Sequence, residues 1–341
     1  MKNEINSIQY LRAVAVIMVV FVHATDQVDW LKEMFTSKIG YGGVDLFFVI
    51  SGFIMVYSTH GRTITPGKFI WLRILRIVPL YWLLTIALVV IAFLAPSVVR
   101  SITLDGWHFA TSLFFIPQLS PAFPNQFWPV LIPGWTLNYE MAFYSLFAIA
   151  LFFSSNVRLV FLTVVMVGLV LLGLDSEKGT LFSFYSDLII LEFLLGAVLG
   201  YLFVHGYLKK NNVLGYFILL SAVFSWWYLQ SFDLGHRFFS AGLPAFFVVL
   251  AALIIDLSSV REFKLMHLIG NASYSIYLSH VFALGFLRAV WNKVSYGSGQ
   301  GDIYLGFTLI VVAIAFSVIV GIIVYEMFEK RINLKLRRKT H

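Results

Sequence analysis

Apolar runs about as long as a bilayer is thick alternate along this chain with short polar connections. A helix needs about 20 predominantly apolar residues to cross the hydrocarbon. Segments near this length lie at 8–25, 43–58, 77–95, 134–154, 157–174, 185–205, 213–230, 238–256, 274–291 and 303–325. They predict an all-α, polytopic membrane bundle of about ten helices, an even number that returns both termini to one side. The second segment is short, and a further apolar piece at 108–118 is too short to cross. Pro96, Pro117, Pro121, Pro124, Pro129 and Pro133 forbid a regular helix throughout 96–133. Each removes a backbone donor and clashes with the preceding turn, so a re-entrant or interfacial piece is expected there.

Composition sharpens this picture. The chain has 341 residues, 60% hydrophobic and 12% charged, against about 45–50% and about 25% in soluble domains. Such a surplus does not fit inside one soluble core, so lipid must solvate much of the surface. A single membrane domain over 1–330 is expected, followed by a short basic tail over 331–341. The net charge of +7 reads as a cytoplasmic face. Of 24 Lys and Arg, 16 fall on the side of the termini, 6 on the other, and Arg12 and Arg288 inside spans. The excess of basic residues on cytoplasmic loops then places both termini in the cytoplasm. No nucleic-acid partner is expected, since no long basic loop exists to contact one. Lys2 and the apolar run ending at Val22-His23-Ala24 have the outline of a signal peptide. Arg12 interrupts that run and more spans follow, so it reads as an uncleaved first helix. The lack of cysteine excludes thiol nucleophiles and thiolate metal sites, and with no zinc motif, Walker loop or dinucleotide fingerprint no metal is expected.

Polar groups inside the spans carry the candidate chemistry, because a charge in the membrane is costly and points to function. Arg12 and His23 are eleven residues apart on the first span, which is three helical turns plus roughly 20°, so they share one face at an axial separation of roughly 16 Å. Glu140 follows Trp135-Thr136-Leu137-Asn138-Tyr139 near the outer end of the fourth span, and Asp45 opens the second span on the same side. Either carboxylate can orient the His23 imidazole for general-base work; Asp45 can equally cap its own helix. Arg73 and Arg76 are three apart at the cytoplasmic start of the third span. They suit the phosphates of a nucleotide-like donor or serve as plain flanking charge. Ser51 and Gly52 are small enough for ligand contact or close helix packing. Glu192, Arg288 and His280 are further intramembrane polar groups.

Taken in order, these runs resemble the acyltransferase-3 family of multi-pass membrane acyltransferases, including its exopolysaccharide-modifying branch. The matching residues are Arg12 with His23, then Gly43-Val44-Asp45-Leu46-Phe47-Phe48-Val49-Ile50-Ser51-Gly52-Phe53, and Arg73-Ile74-Leu75-Arg76. Trp135-Thr136-Leu137 with Glu140 and Phe143-Tyr144 follows, then Ser273-Tyr274-Ser275-Ile276-Tyr277-Leu278 ending at His280. The resemblance implies a cytoplasmic acyl-CoA donor, acetyl-CoA first, and a glycan acceptor that is a surface polysaccharide or its lipid-linked precursor. It implies a bacterial cytoplasmic-membrane location. It makes His23 the expected catalytic residue and Arg12 essential, and links Arg73 and Arg76, with Ser51 and Gly52, to the donor. Trp135, Tyr144 and His280 are assigned to the acceptor. Some relatives carry an extra extracytoplasmic hydrolase-like domain for which this chain has no room after residue 330, so it is expected either to act alone or to hand its acyl group to a separate extracytoplasmic partner, with a homo-oligomer as a further expectation.

The expected sequence of events starts with acyl-CoA phosphates near Arg73 and Arg76. His23 then either deprotonates an acceptor hydroxyl or is transiently acylated, with Glu140 or Asp45 offsetting its charge. The principal rival is a proton-coupled transporter using Arg12, His23, Glu140 and Glu192 as a path; the absence of an evident inverted duplication counts against it.

Overall fold

In the computed structural model the described residues are 5–27, 38–95, 103, 105–232, 234–258, 261–294 and 303–332. Lys2, Lys32, Pro96, Arg100 and the basic tail beyond 332 lie outside them, as does part of the charge count behind the expected orientation. Among the described residues every regular element is helical. The helices are α1 (Asn6–Thr25), α2 (Gly43–Thr59), α3 (Pro66–Leu94), α4 (Gly106–Leu113), α5 (Trp135–Ala150), α6 (Ser155–Gly173) and α7 (Leu181–Tyr185). They continue with α8 (Ile190–Val204), α9 (Asn212–Leu229), α10 (Leu243–Ile254), α11 (Lys264–Asn271), α12 (Ser273–Val294) and α13 (Ile303–Val324). A π-helical turn, Phe238–Gly242, leads into α10, and another, Tyr325–Glu329, extends α13.

Each of the ten apolar segments corresponds to helix. Seven helices among the described residues are long and apolar enough to cross a membrane by length and composition, and the protein is a multi-pass membrane protein. The other three predicted segments correspond to α5, α10 with its π turn, and α12. These are shorter or more polar, and α5 and α12 are the helices that carry Glu140 and His280. Carrying buried polar groups dilutes the very apolarity by which a span is recognised.

Two boundaries differ from expectation. The third helix begins at Pro66 rather than 77, because Thr65 accepts a hydrogen bond from the Lys68 amide and Pro66 fits the first turn. Arg73 and Arg76 therefore lie inside a helix, not at its start. The proline-rich stretch contains α4, capped by Asp105 accepting from the His108 amide at 2.7 Å. It is pinned down by side chains: His108 Nε2 lies 2.8 Å from the Trp128 carbonyl, the Val130 amide donates to Ser112 Oγ at 3.0 Å, and the Tyr81 hydroxyl donates to the Ser112 carbonyl at 3.1 Å.

The chain divides into two compact units, one over Asp45–Ser258 and the other formed by Glu4–Val44 with Ser259–His341. In the first, α2 and α8 cross at backbone contact. A Cβ on Gly196 would stand 2.8 Å from the Val49 carbonyl carbon and 2.9 Å from the Phe53 nitrogen; one on Gly52 would meet the Phe193 and Ala197 backbone as closely. Small residues permit such an approach where lipid offers no hydrophobic drive for helices to associate. In the second unit the Phe263 amide donates to the Tyr10 hydroxyl at 3.1 Å, joining α1 to the start of α11. Ser275 on α12 donates to Glu329 at 2.7 Å, both side chains being buried. Faces of α6, α9 and α13 expose Val160, Val164, Leu171, Phe217, Leu220, Val311 and Ile319, as lipid-facing helices do.

Candidate active site

In the second unit α1 is unbroken across Arg12 and His23, so the two do share one helix. Arg12 is buried and its Nη1 donates to Gln9 Oε1 at 3.1 Å. His23 is half-buried, and its Nδ1 lies 2.8 Å from the Val19 carbonyl oxygen. A carbonyl only accepts, so Nδ1 carries the hydrogen and Nε2 of the neutral ring carries the lone pair. Helix α12 sets the fully buried His280 beside it, with ring centroids 4.9 Å apart. The Nδ1 of His280 lies 2.6 Å from the Tyr277 carbonyl, which fixes the same tautomer, and its Nε2 has no hydrogen-bond partner among the described residues. Two imidazoles thus stand together, each with Nε2 as the basic atom. About one turn further along the same two helices, a cavity of about 200 Å³ is lined by Ala24, Gln27, Leu284, Arg288 and Trp291, among others.

In the first unit α2, α3 and α5 gather Ser51, Arg73, Glu140 and Tyr144. Glu140 Oε1 accepts from Ser51 Oγ at 3.1 Å and, in a short bond, from the Tyr144 hydroxyl; the two hydroxyls are 3.4 Å apart. The Arg73 guanidinium carbon lies 5.5 Å from the Phe69 ring centroid and 5.9 Å from that of Tyr144. Its Nε and Nη1 are buried and have no hydrogen-bond partner among the described residues. An unsatisfied buried donor costs about 1–3 kcal/mol, so two on one guanidinium mark a place suited to an incoming acceptor oxygen. Arg76 follows one turn later, half-buried.

A third group forms where α2, α5, α8 and α10 begin. Asp45, fully buried, is held bidentately by Arg237: Nε to Oδ1 at 3.2 Å and Nη2 to Oδ2 at 2.5 Å. Arg237 lies over the Trp135 ring at 5.8 Å. His236 Nε2 pairs with Asp187 Oδ1 at 3.0 Å, and that oxygen also accepts from the Ile189 amide at 2.9 Å. Glu192, fully buried, stands against Gly242, where an added Cβ would come within 2.6 Å of its Oε1.

The expected site residues are therefore distributed. Arg12, His23 and His280 belong to the second unit. Ser51, Arg73, Glu140 and Tyr144 form one cluster of the first, and Asp45 and Trp135 another. The carbonyl of Val19, rather than a carboxylate, holds the Nδ1 of His23. Asp45 is engaged by Arg237, and Glu140 by two hydroxyls. Gly52 sits in the helix crossing, which accounts for its small size without a ligand. The sequence did not single out Arg237, His236, Asp187 or Glu329. Arg237 stood among the flanking charges, and only its partner 192 residues away along the chain gives it a role.

The family model described as "Acyltransferase domain" matches residues 5–326. The chain is 37% identical over 300 residues to the exopolysaccharide production protein ExoZ of Rhizobium meliloti, covering 86% of this chain and 89% of that protein. It is 25% identical over 360 residues to the O-acetyltransferase OatA of Staphylococcus aureus, covering 95% of this chain and 56% of that longer protein. No solved structure matches.

Proposed function

The chain belongs to the acyltransferase-3 family of membrane O-acyltransferases, and on that premise we propose that it transfers an acyl group, acetyl first, from acyl-CoA to a hydroxyl of an exopolysaccharide or its lipid-linked precursor in a bacterial cytoplasmic membrane. The observation that carries this reading is His23. Its Nδ1–H is spent on the Val19 carbonyl, which leaves Nε2 as a neutral base in a half-buried setting. The base takes the proton of the acceptor hydroxyl as that oxygen attacks the thioester carbonyl, and the CoA thiolate leaves. The neighbouring His280 offers the imidazolium a second basic nitrogen. Arg12 adds a fixed cation to the same helix. The two unsatisfied donors of Arg73 suit an anionic or carbonyl oxygen of the donor, and Glu140, fixed by Ser51 and Tyr144, offsets the guanidinium charge. The exopolysaccharide acceptor is suggested by the similarity to ExoZ.

The test is transfer of label from radiolabelled acetyl-CoA to extracted surface glycans, in membranes holding wild type or His23→Ala at equal protein level. General-base assistance is worth about 10² to 10⁴ in rate, so the variant should lose at least that factor. Wild-type labelling by His23→Ala would overturn the assignment.

A further inference from the structure

The group of polar residues where α2, α5, α8 and α10 begin is not used by the base or by the Arg73 cluster, yet it is assembled with care from four separate helices. It has three properties. It is partly open: the side chains of His236, Asp187 and Arg237 are 26%, 35% and 33% exposed, while Asp45 beneath them is not exposed at all. Its one full cation, Arg237, is already held by Asp45, and His236, whose Nδ1 accepts from the Phe238 amide, turns its Nε2–H to Asp187, so it lacks the surplus cation that a phosphate or carboxylate ligand demands. It is floored by an aromatic ring, with Trp135 half-buried under Arg237. Planar groups that both donate and accept, set beside a flat ring, match a neutral polyol. Its hydroxyls take paired hydrogen bonds while the C–H face of the sugar ring lies on the aromatic surface.

We infer that Trp135, Asp187, His236 and Arg237 form the sugar-contacting site for the glycan acceptor, an inference that rests on the transferase reading for its place in the reaction. Along α5, Trp135 and Glu140 are five residues apart, about 7.5 Å of axial rise, so this site and the Ser51–Glu140–Tyr144 cluster occupy successive levels of one helix. The ligand class is a neutral saccharide rather than the nucleotide donor.

The probe is the extracellular polysaccharide of the organism that encodes the chain, stripped of its esters with alkali. Its binding to the full chain held in nanodiscs is measured at equilibrium, without acyl-CoA. Two variants perturb the site by different routes. Trp135→Leu removes the ring, and Asp187→Asn with His236→Gln removes the carboxylate–imidazole pair while keeping an oxygen for the Ile189 amide. Each should weaken binding about tenfold or more, and His205→Gln, outside the group, should bind like wild type. Absence of binding by wild type, or wild-type binding by both site variants, overturns the inference. Binding by wild type with no label transfer from acyl-CoA overturns the transferase reading instead, so the two failures are distinguishable.

Discussion

Removing Arg237 should harm the protein more than neutralising its partner Asp45, and removing both should be better tolerated than removing Arg237 alone. The asymmetry follows from burial: Asp45 is fully enclosed, whereas the Arg237 side chain is 33% exposed. Arg237→Ala strands a carboxylate with no access to water, which costs about 3–5 kcal/mol. It also forfeits the contact with the Trp135 ring, worth about 0.5–1 kcal/mol. Asp45→Asn keeps an acceptor for Nε and leaves a guanidinium that water still reaches, so its cost stays near the about 1.5–3 kcal/mol of a charge-assisted hydrogen bond. In the double variant the stranded charge is replaced by a buried amide, at about 1–3 kcal/mol. It should therefore be more stable than Arg237→Ala by about 2 kcal/mol, well above the about 0.3–0.5 kcal/mol to which independent changes add. Unfolding in mixed micelles of dodecyl maltoside with rising SDS, followed by circular dichroism, reads the order directly. A double variant less stable than Arg237→Ala, or equal costs for the two single changes, would refute the reasoning.

Two further outcomes test the helix contacts. Gly196→Ala should lower the monodisperse yield from detergent extracts, because its Cβ meets the α2 backbone, which cannot give way, at about 1–3 kcal/mol of overpacking. Gly168→Ala on α6, with open space around it, should be silent or slightly stabilising, and equal yields of the two would refute the crossing argument. Ser275→Ala takes the hydroxyl from buried Glu329 and should lower the SDS midpoint by the equivalent of about 1.5–3 kcal/mol; an unchanged midpoint would show the contact to be idle.

Hydropathy located the helices well because each apolar run answers to one local demand, the thickness of the hydrocarbon. The start of α3 was misplaced by three turns because Thr65-Pro66 is a local capping signal lying in a stretch too polar for a hydropathy window. Within the sites, legibility tracked distance along the chain. Arg12 and His23 share a helix, and their spacing alone put them on one face; Glu140 and Tyr144 also share a helix, and their hydrogen bond emerged only in the structure. The union of Ser51 with Glu140, or of Asp45 with Arg237, depends on helices packing across 89 and 192 intervening steps, which no periodicity encodes. Residues of the Ser273–His280 run looked like one functional motif. The structure divides them, giving Ser275 to Glu329 and His280 to His23.

The end of the first unit where α2, α5, α8 and α10 begin has an electrostatic consequence beyond its side chains. Each helix start carries roughly half an elementary positive charge from its aligned peptide dipoles, so four of them together rival two full cations. Asp45 and Glu192 lie in the first turns of α2 and α8, and Asp187 stands just before α8. The carboxylates of Asp45 and Asp187 outnumber the Arg237 guanidinium and so oppose the backbone's positive field. Such a site keeps strong local fields that orient hydroxyl dipoles, yet exerts little net pull on anions. That combination lets an uncharged sugar compete with the far more abundant phosphates and carboxylates around it.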